Sequence, residues 1–386
     1  MFRKSVSGAF SSGNGALETT TRRIAGQRTF TSTASRHALD ELLNTIRHKI
    51  ILPSYLPLAQ RKIIHSPKYE KKLQSDPIII EIDGEVLKFR HTNPLKGGIP
   101  QTRRSVIRAV EQFAAPEDFA NLKPLLEGIH YTNYKFDASF HTKILRVCGV
   151  RGRIYHVLQC ARAARTTGLR LDSSEKANEA LHFVQLKAVD AGFDPTETAR
   201  ALRWAEIVVA MLADEQHRPH RRPVEGELPL DRDPQVLLAR LHLAASLAQN
   251  PFTPQPEEGV SNNLTIEEVV GKVNDYAADI VRLWPEGRRL REIQPSQLYQ
   301  DENKMGYLSE PNKFVALAAP LLHGLDAAID VVGGVGDKPQ LADQLRARRD
   351  TLDAEIQEAR AGLSGEETPR RGEAIYQKLY GQQQEA

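Results

Sequence analysis

The side chains in this sequence best suited to chemistry are its cations. Between Ala38 and Ala109, thirteen Lys and Arg face seven Asp and Glu. Arg61, Lys62, Lys68, Lys71, Lys72, Lys96, Arg103, Arg104 and Arg108 all lie in that stretch. Each phosphate neutralised by Lys or Arg releases counterions, so such an excess is the footprint of a segment that tracks a nucleic-acid backbone. A solvated charged surface has the same composition. What favours binding is the interleaving with Pro53, Pro57, Pro67, Tyr55 and Tyr69, which reads as an extended arm that folds against a partner. A second basic concentration holds Arg151, Arg153, Arg162 and Arg165, the last two three residues apart on one helix face. These side chains together are the candidate RNA-binding set.

Other chemistry lacks its residues. The sequence has no Gly-x-Ser-x-Gly elbow, no His-Glu-x-x-His and no Gly-x-x-x-x-Gly-Lys-Ser/Thr loop. Gly97 and Gly98, beside Lys96, Arg103 and Arg104, suit RNA backbone contact better than nucleotide binding. Twelve histidines are scattered, and His217 with His220 has no further ligands at zinc spacing, so neither metal nor cofactor is expected. Gly333, Gly334 and Gly336 follow a helical run where a dinucleotide fingerprint needs a strand, and read as a helix stop. Cys148 and Cys160 fall on the helices of one predicted hairpin, which suggests reduced thiols. No run approaches the roughly 18 to 20 apolar residues a bilayer requires. The expectation is a non-enzyme with no small-molecule substrate and no membrane-spanning segment.

The elements that would position the cations follow from pattern. Residues 1–37 are rich in Arg, Ser, Thr, Ala and Gly, with Glu18 the only acid, the composition of a mitochondrial transit peptide. Residues 38–104 form the basic arm. Inside it, Ile78–Ile82 and Glu85–Phe89 flank Asp83-Gly84, the signature of a two-residue hairpin turn. Two strands alone are marginally stable, so the hairpin at 78–89 must dock on a helix or another molecule. Thr102 is placed to cap the helix that follows. Helical hairpins occupy 105–215, a proline- and charge-rich linker 216–233, and a further helical domain 234–363, whose surface reads as nearer neutral. Thr265 and Glu268 have capping-box spacing. The polar tail 364–386 is expected to be disordered.

The organising stretch is Phe140 to Asp194. Ile144, Leu145 and Cys148 make one helical stripe, and Ile154, Val157, Leu158 and Ala161 a second, joined at Gly149 to Gly152. The exit Gly168-Leu169-Arg170-Leu171-Asp172 returns in shortened form as Gly192-Phe193-Asp194. An aromatic residue four before Ile144-Leu145, Gly152-Arg153 between the helices and the Gly-apolar-x-x-Asp exit resemble the pentatricopeptide class of mitochondrial RNA-binding repeats. The resemblance covers one good repeat and a degenerate second, and no repeated pair of base-reading positions is visible. It implies a mainly α fold: an α-solenoid-like, pentatricopeptide-like helical-hairpin core with one small β-hairpin and an extended basic N-terminal arm.

In overall style, a matrix-targeted mixed-charge helical chain with a basic arm and proline-rich connections resembles fungal mitochondrial ribosomal proteins, with the large subunit favoured. That resemblance implies a structural constituent of the matrix ribosome, partnered by mitochondrial rRNA and other mitochondrial ribosomal proteins. Two alternatives stay open: a free pentatricopeptide-like RNA-binding factor for mRNA processing or translational activation, and a matrix enzyme or assembly factor without a recognisable motif.

Overall fold

The computed structural model describes residues 34–82, 84–94, 98–250, 265–299, 310–363 and 370–381. Most of the expected transit peptide, and Lys96 and Gly97, lie outside the described residues. The chain divides into two compact units, residues 1–170 and 171–386.

In the first unit, α1 (Ala34–Ile46) buries Leu39 and Ile46. It runs through a π-helical turn and a 3-10 turn into α2 (Leu58–His65) and α3 (Glu70–Ser75). The hairpin forms as the sequence requires. β1 (Ile78–Ile82) pairs antiparallel with β2 (Glu85–Phe89), with Ile78 opposite Phe89, and Gly84 takes φ +82° at the turn. Leu87 and Phe89 are buried in a cluster with Leu52, Leu56, Ile64 and Leu73, and Tyr69, Ile78 and Ile80 pack at its edge. Burying each such side chain contributes about 1.5–3 kcal/mol. The expected extended arm is therefore corrected: from residue 34 it is folded, because its apolar residues are spaced to receive one face of the hairpin. Tyr55 stacks on Tyr131 at 4.3 Å, so both aromatics that suggested an arm take part in this unit's own packing.

The rest of the unit is made of helical hairpins. α4 (Thr102–Gln112) packs on α1 and on α6 (Ala138–Val150), while α5 (Leu122–Tyr131) packs on α7 (Ile154–Arg162) and α8 (Ala164–Thr167). First helices stack on first helices and second on second, as in a solenoid. Gly152 and Gly168 close their helices at φ +68° and +70°. Thr102 is buried inside the first turn of α4, and Gln101 holds the cap position without a side-chain bond, which corrects the expected cap. The 3-10 turn before α5 is closed by Asp118, whose carboxylate accepts from the Ala114 and Ala115 amides.

In the second unit, α9 (Ser174–Asp190) ends at Gly192 and Phe193, both with positive φ, and Asp194 caps α10 (Pro195–Ala213) by accepting from Thr196 and Glu197 amides. α9 and α10 pack on α11 (Pro234–Gln249). The stretch read as a linker is pinned within the unit. His217 is buried and its Nδ1 accepts from Leu171 N at 3.0 Å, and Gln294 bonds Leu228 and Asp233. The capping box forms at the start of α12 (Ile266–Leu283), with Thr265 Oγ1 accepting from Glu268 N at 3.2 Å and Glu268 Oε2 from Thr265 N at 2.9 Å. A short α13 (Ser296–Tyr299) precedes α14 (Pro311–Gly333), which packs on α11, α12, α15 (Pro339–Ala361) and α16 (Arg371–Tyr380).

Two expectations are corrected here. By length and composition α14 would cross a membrane, contrary to the reading of the sequence, yet it is mostly buried as the core helix of this unit. The tail expected to be disordered contains α16, because Ile375 is buried against Ala316 and Ala319 with Tyr376 and Leu379 beside it. The helix stop at Gly333 and Gly334 is observed.

Candidate nucleic-acid interface

The structure sorts the candidate cations into those held by the fold and those that project from it. Arg61 donates to Ser54 O at 2.6 Å and ties α2 to the turn before it. Arg103 pairs with Asp137 at 3.3 Å and donates to Ser139 Oγ at 2.9 Å, joining α4 to the start of α6. Arg151 donates to Val110 O at 3.2 Å, to Glu111 O at 2.6 Å and to Phe113 O. It thus places positive charge on the carbonyls at the end of α4, of which Val110 O also accepts from Phe113 N at 3.3 Å. Arg153 is half-buried, with its guanidinium 6.0 Å from the centre of the Phe119 ring. Arg61, Arg103 and Arg151 thus tie elements together, and Arg153 lies beside the Phe119 ring.

The remainder are exposed and have no carboxylate partner among the described residues. Lys62, Lys68, Lys71 and Lys72 project from α2, α3 and the turn between them. Arg104 and Arg108 lie one turn apart on α4, and Arg162 and Arg165 stand on α7 and α8. α4 packs with α1 and α6, whereas α7 and α8 pack with α5, so these pairs occupy different layers and do not form one stripe. Lys96 lies outside the described residues. The candidate set passed over Lys49, Lys88, Arg90 and Lys135, which are equally exposed and without a carboxylate partner among the described residues. For Lys88 and Arg90 the signal was strand alternation, which sets them opposite Leu87 and Phe89.

Formal charge divides with the units. Residues 1–170 hold 28 Lys and Arg against 13 Asp and Glu, and residues 171–386 hold 24 against 36. The net charge of +3 is the difference between a strongly cationic unit and an anionic one. Within the second unit, residues 234–363, read as nearer neutral, hold 13 Lys and Arg against 19 Asp and Glu and are acidic. Several of its cations are taken up internally: Lys272 pairs with Glu206 at 2.7 Å, Arg240 with Asp279 at 2.8 Å, and Arg360 with Glu373 at 2.7 Å. Arg203, Arg222, Arg232, Arg288 and Lys338 are exposed without a carboxylate partner among the described residues.

The thiols offer no reactive centre at neutral pH. Burial pushes Cys148 up to about 12 and raises Cys160 as well, so both stay protonated. No group of His, Cys, Asp and Glu able to hold a metal ion occurs among the described residues.

The comparisons agree with a ribosomal reading. The family model described as mitochondrial ribosomal protein mS27 matches residues 16–378. A Neurospora crassa protein named small ribosomal subunit protein mS27 is 35% identical over 348 residues, covering 89% of this chain and 86% of that one. The relative carries a small-subunit name, so the expectation of the large subunit is not supported. Matched over almost its whole length, the chain belongs to the mitochondrial ribosomal protein mS27 family.

Proposed function

We propose that this protein is a structural constituent of the small subunit of the mitochondrial ribosome, working in the matrix and holding rRNA through its first unit. Family membership carries the ribosomal assignment, and the uncommitted cations of residues 34–170 support the RNA contact. Lys62, Lys68, Lys71, Lys72, Arg104, Arg108, Arg162 and Arg165 are the phosphate-contacting residues, and Arg61, Arg103, Arg151 and Arg153 act by holding the elements that carry them. Lys96, which lies between the hairpin and α4 in the sequence, completes the set. The protein's other partners are neighbouring ribosomal proteins, and its role is architectural.

Sedimentation of the tagged chain from mitochondrial lysate tests this reading. Co-migration with the small subunit is expected, including after magnesium chelation has separated the subunits. Migration with the large subunit overturns the placement. The stacking of α4 on α6 and of α5 on α7 favours one other reading, a free helical-repeat RNA factor, which a light RNA-bound fraction without ribosomal subunits would support.

A further inference from the structure

The turn that carries the chain from α5 into α6 leaves aromatic rings at the surface of the cationic unit. Tyr131, at the end of α5, is 41% exposed although one face of its ring stacks on Tyr55, which leaves the other face to solvent. Tyr134 is 48% exposed, with its ring centre 4.8 Å from that of Phe136. Phe136 is half-buried and lies flat on the buried Phe140, with 3.7 Å between centres and 7° between planes. Tyr134 thus stands at the outside of an aromatic cluster rooted in the core. The backbone holds it there. Thr132 Oγ1 donates to Ile129 O at 2.7 Å and accepts from Tyr134 N at 3.3 Å, and Asn133 takes φ +57° with its amide donating to His130 O at 3.0 Å. At the other end Asp137 accepts from Arg103 and from Ser139 Oγ. A turn fixed at both ends presents its rings without the cost of ordering them on binding.

Charge decides what these rings can meet. Asp137 is the only acid between Thr132 and Ser139, and Arg103 pairs with it. Lys135, between the two outer aromatics, is exposed and has no carboxylate partner among the described residues. The Arg103–Asp137 pair sets the first turn of α4 against this loop, and the next residue, Arg104, is likewise exposed without a carboxylate partner among the described residues. Open rings beside unsatisfied cations suit a nucleic acid whose bases stack while its phosphates are neutralised. A duplex keeps its base faces covered by neighbouring pairs, so only unpaired nucleotides offer a face to Tyr134.

We infer that the turn from Tyr131 to Phe136 is a stacking platform for unpaired nucleotides of RNA, with Tyr134 holding a base and Lys135 the adjoining phosphate. This rests on the proposed rRNA contact of the first unit and names the part of the RNA it takes. In native small subunits, ultraviolet irradiation and digestion should yield RNA-linked peptides joined at Tyr131, Tyr134 or Phe136. Linkage elsewhere in residues 34–170 but not in this turn overturns the platform and leaves the rRNA contact standing, whereas no linkage in the whole unit overturns both. Amine cross-linking of Lys135 to a neighbouring protein, with no RNA linkage in the turn, identifies a protein surface instead and also overturns it. Binding of the purified full chain to a single-stranded oligoribonucleotide, and to the duplex of the same sequence, separates stacking from charge. Y134A weakens single-strand binding roughly fivefold or more with the salt slope unchanged, and leaves duplex binding as it was. Y134F keeps the ring and binds as the unaltered chain does, and thermal unfolding checks that both variants are folded. Equal loss on both RNAs, or no loss on the single strand, refutes the platform. An unaltered chain that binds neither RNA counts against the rRNA contact itself, while the cross-links in native subunits still decide the platform.

Discussion

Arg104 and Arg108 offer the sharpest test of how the fold sorts its cations, because Arg103 beside them has the same chemistry and a different fate. Arg104 and Arg108 are exposed without a carboxylate partner among the described residues, whereas Arg103 is engaged by Asp137 and Ser139. If each free guanidinium neutralises one phosphate, R104Q/R108Q removes two contacts. The slope of log K against log salt then becomes shallower by about 1.4 for single-stranded and about 1.8 for duplex RNA. With binding converging near ~1 M salt, a slope change of that size means roughly 20-fold weaker binding at about 0.15 M. R103Q leaves the slope unchanged and lowers stability by no more than about 1 kcal/mol, since the Arg103–Asp137 pair is largely exposed. The assay is filter binding or anisotropy of the purified full chain on a small-subunit rRNA transcript, from about 0.05 to 0.5 M salt, the range in which counterion release dominates. Thermal unfolding checks that both variants are folded. An unchanged slope in R104Q/R108Q, or an equal change in R103Q, refutes the sorting.

Other expectations concern the fold that carries these residues. F89A removes the buried end of β2 from the Leu52–Leu73 cluster and costs about 3–5 kcal/mol, read as a lower denaturation midpoint; a loss under about 1 kcal/mol means the hairpin is not docked. G324A sets a Cβ 2.4 Å from His242 Cβ, so α14 and α11 must separate, and soluble yield and midpoint fall together; an unchanged midpoint disproves the close approach. Burial, and then Arg371 and His323 respectively, holds His182 and His242 well below the usual histidine range. Their folded forms stay neutral while the unfolded chain takes up protons below about 6.5. Stability is therefore retained above that value and lost on acidification, by about 1.4 kcal/mol per histidine at pH 5.5. Asp233 opposes this in part: burial raises it to about 6, so its contribution is present below about pH 4 and lost as pH rises through 6. Urea unfolding at pH 7.5 and 5.5 should show the lower midpoint at 5.5, and equal midpoints contradict the buried neutral state.

The parts of this fold legible in sequence are those fixed by local rules. Asp83-Gly84 between two apolar runs marked the hairpin, Thr265 and Glu268 marked the start of α12, and the stripes Ile144–Cys148 and Ile154–Ala161 marked α6 and α7. Misreadings came where a weak local signal met a tertiary partner. The prolines and tyrosines of residues 53–69 resemble an unfolded arm until Leu52, Leu56 and Ile64 are seen to receive Leu87 and Phe89. Ile375 sits in a polar tail, and Ala316 and Ala319 facing it, with Asp326 and Glu373 bonded to Tyr380 and Arg360, make the site where α16 docks. The site was legible as a set of residues and illegible as a surface. Whether an arginine meets RNA or a carbonyl depends on which helix end lies within its reach, and Arg151 and Val110 are 41 positions apart in the chain.

The charge separation shows why the total was misleading. A net +3 over 386 residues carries no prediction about partners. Divided at Arg170, the same residues become 28 cations with 13 acids, and 24 cations with 36 acids. Exposed charges more than about 8 Å apart are screened at physiological salt, so the units do not cancel at their surfaces wherever their separation exceeds that distance. Each then meets its partners by its own sign, and the burial of ion pairs sharpens the difference. In the second unit Lys272, Arg240 and Arg360 are already paired with carboxylates. In the first, Arg151 is taken by carbonyls, which leaves the acids few partners to neutralise and Lys62, Lys71, Lys72, Arg104, Arg108, Arg162 and Arg165 projecting into solvent. Counterions condensed on RNA gain entropy only when displaced by charges that are not already satisfied, so it is the residual charge after folding, and not the composition, that sets the binding surface.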